Sequence, residues 1–309
     1  MQTGEKISNL IAVSLLLILI GAGSFFANRN LRLGRGDRRG ATRLAFFAML
    51  STAVWWIGGE HHVPTFWEIY HFMFGLIGAA LVFSALLWII YVALEPSVRR
   101  RWPHMLVSWT RLLGSEWRDP LVGRDVLVGC AAGIVTLCLF HLAVIAPSWF
   151  GRPVELLIAP LMSLQGTGLL ISFLAFIPIG SIADAAASLF LLLLLRILLR
   201  NDWLAFAALV LVFSVQAAVG ASSPALVLPA ILLANGILLW VLMRYGFVAL
   251  LAGSITVSCL RFFPVTLQFS AWYSGIGLVA VFVVLALSLY GFRVSLGSRP
   301  LMDLATVED

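Results

Sequence analysis

Glu68 and His71 form an E-x-x-H pair, the spacing in this sequence that is most suggestive of chemistry. Residues three apart on a helix share one face, so a carboxylate and an imidazole would lie side by side there. Bundles that bind two metal ions need two such pairs and further glutamates, and a zinc protease needs H-E-x-x-H. The sequence has a single E-x-x-H pair and no H-E-x-x-H, so we predict no metal site and no cofactor.

Other ionisable residues join this pair in a candidate polar cluster at the outer end of the predicted helices. Its members are His61, His62, Glu68, His71, His141 and Asp184. We expect a hydrogen-bonded group near the membrane surface. Histidine titrates close to neutral pH, so a proton or ligand sensor is a second interpretation. A haem held between two of the histidines, His71 and His141, is a third.

The composition shows what must position these residues. Hydrophobic residues make up 61% of the 309 and charged residues 11%, whereas soluble domains have roughly 25% charged residues. Such a chain requires lipid as its solvent for most of its length. We therefore predict an all-α, polytopic helical membrane protein that forms a single integral membrane domain over residues 1–309.

A spanning helix needs about 20 apolar residues, and the apolar runs of the sequence give nine predicted spans. They are residues 7–27, 44–59, 66–94, 126–145, 182–199, 203–219, 225–243, 247–260 and 272–292. Prolines and glycines interrupt the apolar segment 156–178. Because these residues weaken helices, we predict that this segment is irregular or re-entrant.

The basic residues are distributed unevenly between the two sides of the predicted membrane. Of the 20 Lys and Arg residues, all but Lys6, Arg152 and Arg261 fall on one side. Cytoplasmic loops carry the excess of positive charge in membrane proteins. We therefore predict a bacterial inner-membrane protein with its N-terminus outside and its C-terminus in the cytoplasm.

The segment from 95 to 120 is both basic and rich in tryptophan. Apolar residues recur at helical spacing over 102–118, and polar residues such as Ser108 fall on the opposite face. This pattern predicts an amphipathic interfacial helix in the headgroup plane. Five arginines are expected to contact lipid headgroups or an acidic partner: Arg99, Arg100, Arg101, Arg111 and Arg118.

Two stretches carry a family resemblance: "RNLRLGRGDRRGATRLAFF" (29–47) and "ALEPSVRRRWPHMLVSWTRLLGSEWRDPLVGRDVLVG" (93–129). They resemble the C-terminal membrane module of serine/threonine protein kinases from Acidobacteria and related bacteria. The resemblance implies a membrane tether, sensor or assembly platform, with a kinase domain or another membrane subunit as partner. Kinase catalysis needs a glycine-rich loop, H-R-D and D-F-G, and the sequence contains none of these motifs.

A different class of function also fits the composition. A small-molecule or lipid transporter, or a lipid-modifying membrane enzyme, would use the region 156–184. In either case we expect membrane lipid as a partner. We expect no nucleic acid, because the arginines lie in short loops between apolar runs, as membrane orientation requires.

Overall fold

A computed structural model of the chain describes residues 3–59, 65–152, 161–221 and 223–297, and every regular element among them is helical. The α-helices are α1 Thr3–Arg32, α2 Arg38–Gly59, α3 Phe66–Tyr70, α4 Ala79–Arg101, α5 Val107–Leu113, α6 Pro120–Ile145, α7 Thr167–Leu199, α8 Asp202–Ala218, α9 Pro224–Tyr245, α10 Phe247–Phe262 and α11 Ser274–Ser295. A π-helix, His71–Gly78, joins α3 to α4, and 3₁₀ turns cover Pro103–Leu106, Ala146–Phe150 and Leu161–Leu164. The predicted all-α fold is confirmed over these residues.

Within the described ranges, seven helical stretches are long and apolar enough to cross a membrane. They are α1, α2, the continuous stretch through α3 and α4, α6, α7, α9 and α11. The apolar helices α8 and α10 are shorter, with 17 and 16 residues. Large apolar side chains such as Leu10 and Phe282 lie exposed on the outside of the bundle. Lipid covers such surfaces, and the chain is a multi-pass membrane protein.

Short connections make successive long helices antiparallel, so the bundle has two ends of different composition. At one end α1, α4, α7, α9 and α11 finish, and α2, α6, α8 and α10 begin. We call this the arginine-rich end and the opposite one the arginine-poor end. Side chains tie distant segments together at both: Arg43 donates to the Leu113 carbonyl (2.8 Å) at the first, and Ser163 donates to the Phe262 carbonyl (3.3 Å) at the second.

Helix α6 packs most extensively against α10, where small residues bring the two backbones close together. A Cβ atom on Gly129 would stand 2.2 Å from the Ala249 carbonyl oxygen, and one on Gly133 would stand 2.7 Å from the Gly253 oxygen. Spacings below 3 Å exclude a side chain at either glycine. In lipid, helices associate through close packing of this kind, since apolar burial drives them together only weakly.

The prediction of an irregular segment over 156–178 is wrong for its second half. Residues from Thr167 onward belong to α7, which runs without a break to Leu199 and contains Pro178; residues 153–160 lie outside the described part of the chain. A proline is tolerated in a membrane helix when neighbouring helices cover the freed backbone. The flanking Ile177 and Ile179 are both buried, so Pro178 lies in a packed part of the bundle.

The single amphipathic helix predicted over 102–118 is also corrected. The segment is a 3₁₀ turn followed by the seven-residue α5, and the chain leaves α5 through Ser115 at a φ of 68°. Protein covers its central apolar residues: Met105 and Trp109 are buried, and the Trp109 ring packs 4.7 Å from Phe247. Ser108, which was expected on the polar face, is buried as well. Trp117, near the end of the segment, is 61% exposed.

Candidate functional site

The predicted outer polar cluster does not assemble as a unit in the described residues. Glu68 lies in α3 and His71 opens the π-helix, a region that packs against α2 and α4. His141 lies on α6, which packs mainly against α9, α10 and α11. His61 and His62 fall outside the described residues. The structure therefore separates the E-x-x-H pair from His141.

Asp184 occupies a different depth from the one predicted. Because α7 begins at Thr167, Asp184 lies about halfway along it, roughly 25 Å from the first residue at 1.5 Å per residue. Its side chain is exposed on the surface of the bundle, with no hydrogen-bond partner among the described residues. Asp184 consequently does not mark the outer start of a span.

The part of the chain that the structure describes contains no group of three His, Cys, Asp or Glu residues placed to hold a metal ion. The ring of His71 lies 6.3 Å from that of Tyr70, and His141 Nδ1 is 2.9 Å from the Leu137 carbonyl oxygen one turn earlier. Each of these two contacts is with a residue nearby in the sequence.

His141 instead lines a cavity of about 970 Å³ at the arginine-poor end. The last turns of α6, α8 and α10 and the first two turns of α9 form its walls. Residues that represent these four elements are Phe140, Ala217, Val227 and Phe263. Ligand sites in proteins usually have volumes of about 300–1,000 Å³ and mostly apolar walls, so the cavity has the size and lining of a binding site.

Two polar side chains interrupt the apolar lining of the cavity. Arg261 lies in the last turn of α10, is exposed, and has no ion-pair partner among the described residues. When His141 Nδ1 donates to the Leu137 carbonyl, its Nε2 has no protein partner in the described chain. A fixed cation beside an apolar cavity matches a molecule with an anionic head and a hydrocarbon body.

The arginine-rich end contains buried polar contacts around Asp125, in contrast to the apolar cavity at the other end. This carboxylate is fully buried in the first turns of α6 and accepts a hydrogen bond from the Ser108 hydroxyl. Arg124 Nη2 is 2.7 Å from it, and the Arg124 guanidinium also lies 5.5 Å from the Tyr245 ring centre. These contacts join α5, α6 and α9, so they close this end of the bundle.

The five arginines expected to meet headgroups have different environments. Arg111 pairs with Asp119, the N-cap residue of α6, so it belongs to the internal contacts of the arginine-rich end. Arg99 pairs with Glu95 at 2.8 Å. Arg100, Arg101 and Arg118 are exposed, and among the described residues they have no ion-pair partner.

Sequence reasoning missed Arg261 and Asp125 as site residues. Arg261 was visible as one of the few basic residues on its side of the membrane, and an isolated arginine in an apolar setting is itself a signal. Asp125 follows the N-cap region of a helix and stands beside an arginine, but its burial depends on where α5 packs, which local pattern does not reveal.

No protein-family model, no curated protein and no solved structure matches this chain. The resemblance to kinase membrane modules therefore stays a prediction from the two arginine-rich stretches.

Proposed function

We propose that the chain is a membrane-embedded sensor that binds an amphipathic anion in the cavity at the arginine-poor end. The cavity of about 970 Å³ beside Arg261 carries this proposal. A carboxylate or phosphate would pair with Arg261, and a hydrocarbon chain would fill the space lined by residues such as Phe140 and Ile231. Fatty acids and lysophospholipids have this combination of a charged head and an apolar tail.

The proposal includes a topology of nine crossings in the bacterial inner membrane, with α8 and α10 as the two short spans. The arginine-rich end then faces the cytoplasm, as the positive-inside rule favours. The cavity opens on the outer side, where His141 also lies. A ligand would reach it from the outer leaflet, and the buried contacts around Asp125 would prevent passage through the bundle.

Passage through an open channel is disfavoured because the bundle has a cavity at one end and buried contacts around Asp125 at the other. The resemblance to kinase membrane modules is consistent with a sensor whose output is read in the cytoplasm, by a kinase domain or another partner. Such a partner would contact the exposed arginines of the arginine-rich end, among them Arg118.

Direct binding tests this function. Protein in phosphatidylcholine nanodiscs should bind radiolabelled oleate saturably, and the uncharged oleyl alcohol should bind at least tenfold more weakly. Arg261→Gln should lose about ten- to a hundredfold in oleate affinity, because a hydrogen bond to a charged group contributes about 1.5–3 kcal/mol and 1.4 kcal/mol is tenfold in affinity.

The matched control is Arg152→Gln, which removes another exposed arginine from the same end of the bundle without touching the cavity. It should bind oleate as the unchanged chain does. Equal binding of oleate and oleyl alcohol, or equal affinity in the two arginine variants, would remove Arg261 as the anion site and with it the proposed function.

A further inference from the structure

A second concave surface lies at the arginine-rich end, far from the cavity, where α1 and α4 finish beside the last turns of α7. The Asn30 side chain donates to the carbonyl oxygens of Val92 (3.0 Å) and Ala93 (3.2 Å), and Asn30 is buried. The Phe26 and Phe190 rings meet edge to face with their centres 6.3 Å apart. These contacts fix α1 against α4 and α7, so the surface between them is preformed.

Four arginines converge on this surface. They line a cleft of about 290 Å³ and are Arg29, Arg35, Arg100 and Arg101. Among the described residues none of the four has an ion-pair partner. Two acidic side chains nearby are engaged elsewhere: Glu95 pairs with Arg99, and Asp202 pairs with Arg196. A third, Asp37, lines an adjoining cleft with Arg35 and Arg100. The cleft therefore holds four positive charges, of which Asp37 can offset one.

Helix dipoles compensate for only part of this charge. Cations are stabilised at helix C-termini, where each helix contributes about half a negative charge. Three helices end near the cleft, α1, α4 and α7. With Asp37, roughly two and a half negative charges face four arginines. Like charges held together in one cleft repel each other, and an anion with more than one negative charge would relieve that repulsion.

A neighbouring cleft extends the same surface. It has a volume of about 330 Å³ and is lined by Arg101, Arg196 and Arg200. Asp202 also lines it and pairs with Arg196, so Arg101 and Arg200 are the arginines there without an ion-pair partner among the described residues. Arg101 belongs to both clefts, so two groups of arginines lie side by side and share one residue. Arginine binds phosphate oxygens through two parallel N–H donors. The arrangement matches two phosphate groups carried by one molecule.

Apolar side chains beside the arginines indicate that this molecule is a lipid. Leu33 and Ile197 line the first cleft and are 51% and 40% exposed, and Leu198, next along α7, is 76% exposed. A soluble polyanion would leave these side chains in contact with water. The acyl chains of a phospholipid would cover them, while its headgroup phosphates meet the arginines.

We propose that the arginine-rich end binds an anionic phospholipid with two phosphate groups in the paired clefts between α1, α4 and α7. The site is independent of the oleate cavity, which is built from α6, α8, α9 and α10. The lipid would fix the position of this end in its leaflet through Arg100 and Arg101. The shared chemistry is phosphate binding, and a free pyrophosphate is the competing source.

The thermal stability of the purified protein in detergent, measured with added ligands, tests this site. Cardiolipin, which has two phosphates, should raise the melting temperature more than phosphatidylglycerol at equal total phosphate. Pyrophosphate should give a much smaller rise than cardiolipin. The double variant Arg100→Gln/Arg101→Gln should lose most of the cardiolipin effect, because Arg101 contacts both clefts.

The matched control is Arg38→Gln/Arg39→Gln, which removes two exposed arginines from the same end outside both clefts. It should keep the full cardiolipin effect. If the two double variants lose the effect equally, the binding is general surface electrostatics and the site is refuted. A rise with pyrophosphate equal to that with cardiolipin would refute the lipid assignment.

A second variant guards against a folding artefact. Arg29→Gln lies on α1 and not on α4, and its side chain is exposed. It should keep the elution volume of the unchanged protein and reduce the cardiolipin effect. A folded Arg29→Gln protein with an undiminished effect, together with an unfolded Arg100→Gln/Arg101→Gln protein, would overturn the proposal.

Discussion

The two ends of this bundle use their side chains in opposite ways. At the arginine-rich end, α5 packs on α6 and α10, and the buried Asp125 joins Ser108 to Arg124. At the arginine-poor end, the helices α6, α8, α9 and α10 leave a cavity of about 970 Å³ with one arginine, Arg261, beside it. Closure at one end and space at the other are what a binding module requires and what a through-channel would lack.

The size of the side chains between the helices explains why one region is tightly packed and the other contains a cavity. Between α6 and α10 the glycines at 129 and 133 allow backbones to meet. At the arginine-poor end, bulky residues such as Phe140 and Phe263 line the gap, and Gly220 stands in open space. Small residues bring helices together and large ones hold them apart.

The largest difference in stability between the two regions should appear when a glycine in each is replaced by leucine. Gly129→Leu would drive a side chain into the Ala249 carbonyl, which is already 2.2 Å from a Cβ at this position. We expect a loss of roughly 3 kcal/mol or more, at or beyond the upper end of ordinary overpacking, and no monodisperse protein in size-exclusion chromatography.

Gly220→Leu is the partner experiment, because no atom lies within 4 Å of a Cβ there. The protein should fold normally, and the leucine should reduce oleate binding by occupying the cavity. If both leucine variants fold equally well, α6 and α10 do not approach each other closely at Gly129.

Ser108→Glu should give the next largest effect. The new carboxylate would lie beside Asp125 in a buried site. An unpaired buried charge costs about 3–5 kcal/mol, and we expect a fall in melting temperature that reflects about 3 kcal/mol. Val107→Glu, on the exposed side of the same short helix, should change stability little, and similar losses in both variants would mean that α5 is a solvated surface segment.

The segment around Ser108 also shows which features of the structure could be predicted from the sequence. Helical periodicity correctly placed Trp109 and Met105 on one apolar face, but it assigned Ser108 to the polar face. Periodicity reports which residues share a side of a helix and not what covers the other side. Asp125 approaches from α6, and this tertiary contact buries Ser108.

The same limit applies to α7. Composition correctly predicted an all-helical membrane protein, but proline and glycine propensities predicted a break before Ile182, where α7 is continuous from Thr167. Packing of the neighbouring helices outweighs local propensity here. The cavity could not be predicted either, since its walls come from residues as distant as Leu137 and Val265.

A smaller effect is expected when Asp125 itself is removed. Asp125→Ala deletes the acceptor for Ser108 and leaves a buried hydroxyl without its partner, whereas Arg124 is about half exposed and remains hydrated. We expect a loss of about 2 kcal/mol, within the range for a hydrogen bond to a charged group, measured by thermal or denaturant unfolding. Glu116→Ala, at an exposed position of the same end, should leave the unfolding midpoint unchanged, and an equally unchanged Asp125→Ala would show that the contact does not close the bundle.

Cysteine labelling from each side of the membrane tests most directly whether the cavity opens outward and binds an anion. Ala221→Cys places a thiol in the cavity wall and Glu116→Cys places one at the arginine-rich end, both with the exposed native thiol removed by Cys138→Ala. An impermeant maleimide should label Ala221→Cys only in right-side-out vesicles, with protection by oleate, and Glu116→Cys only in inverted ones. Labelling of Ala221→Cys from inverted vesicles, or labelling that oleate does not slow, would contradict the account.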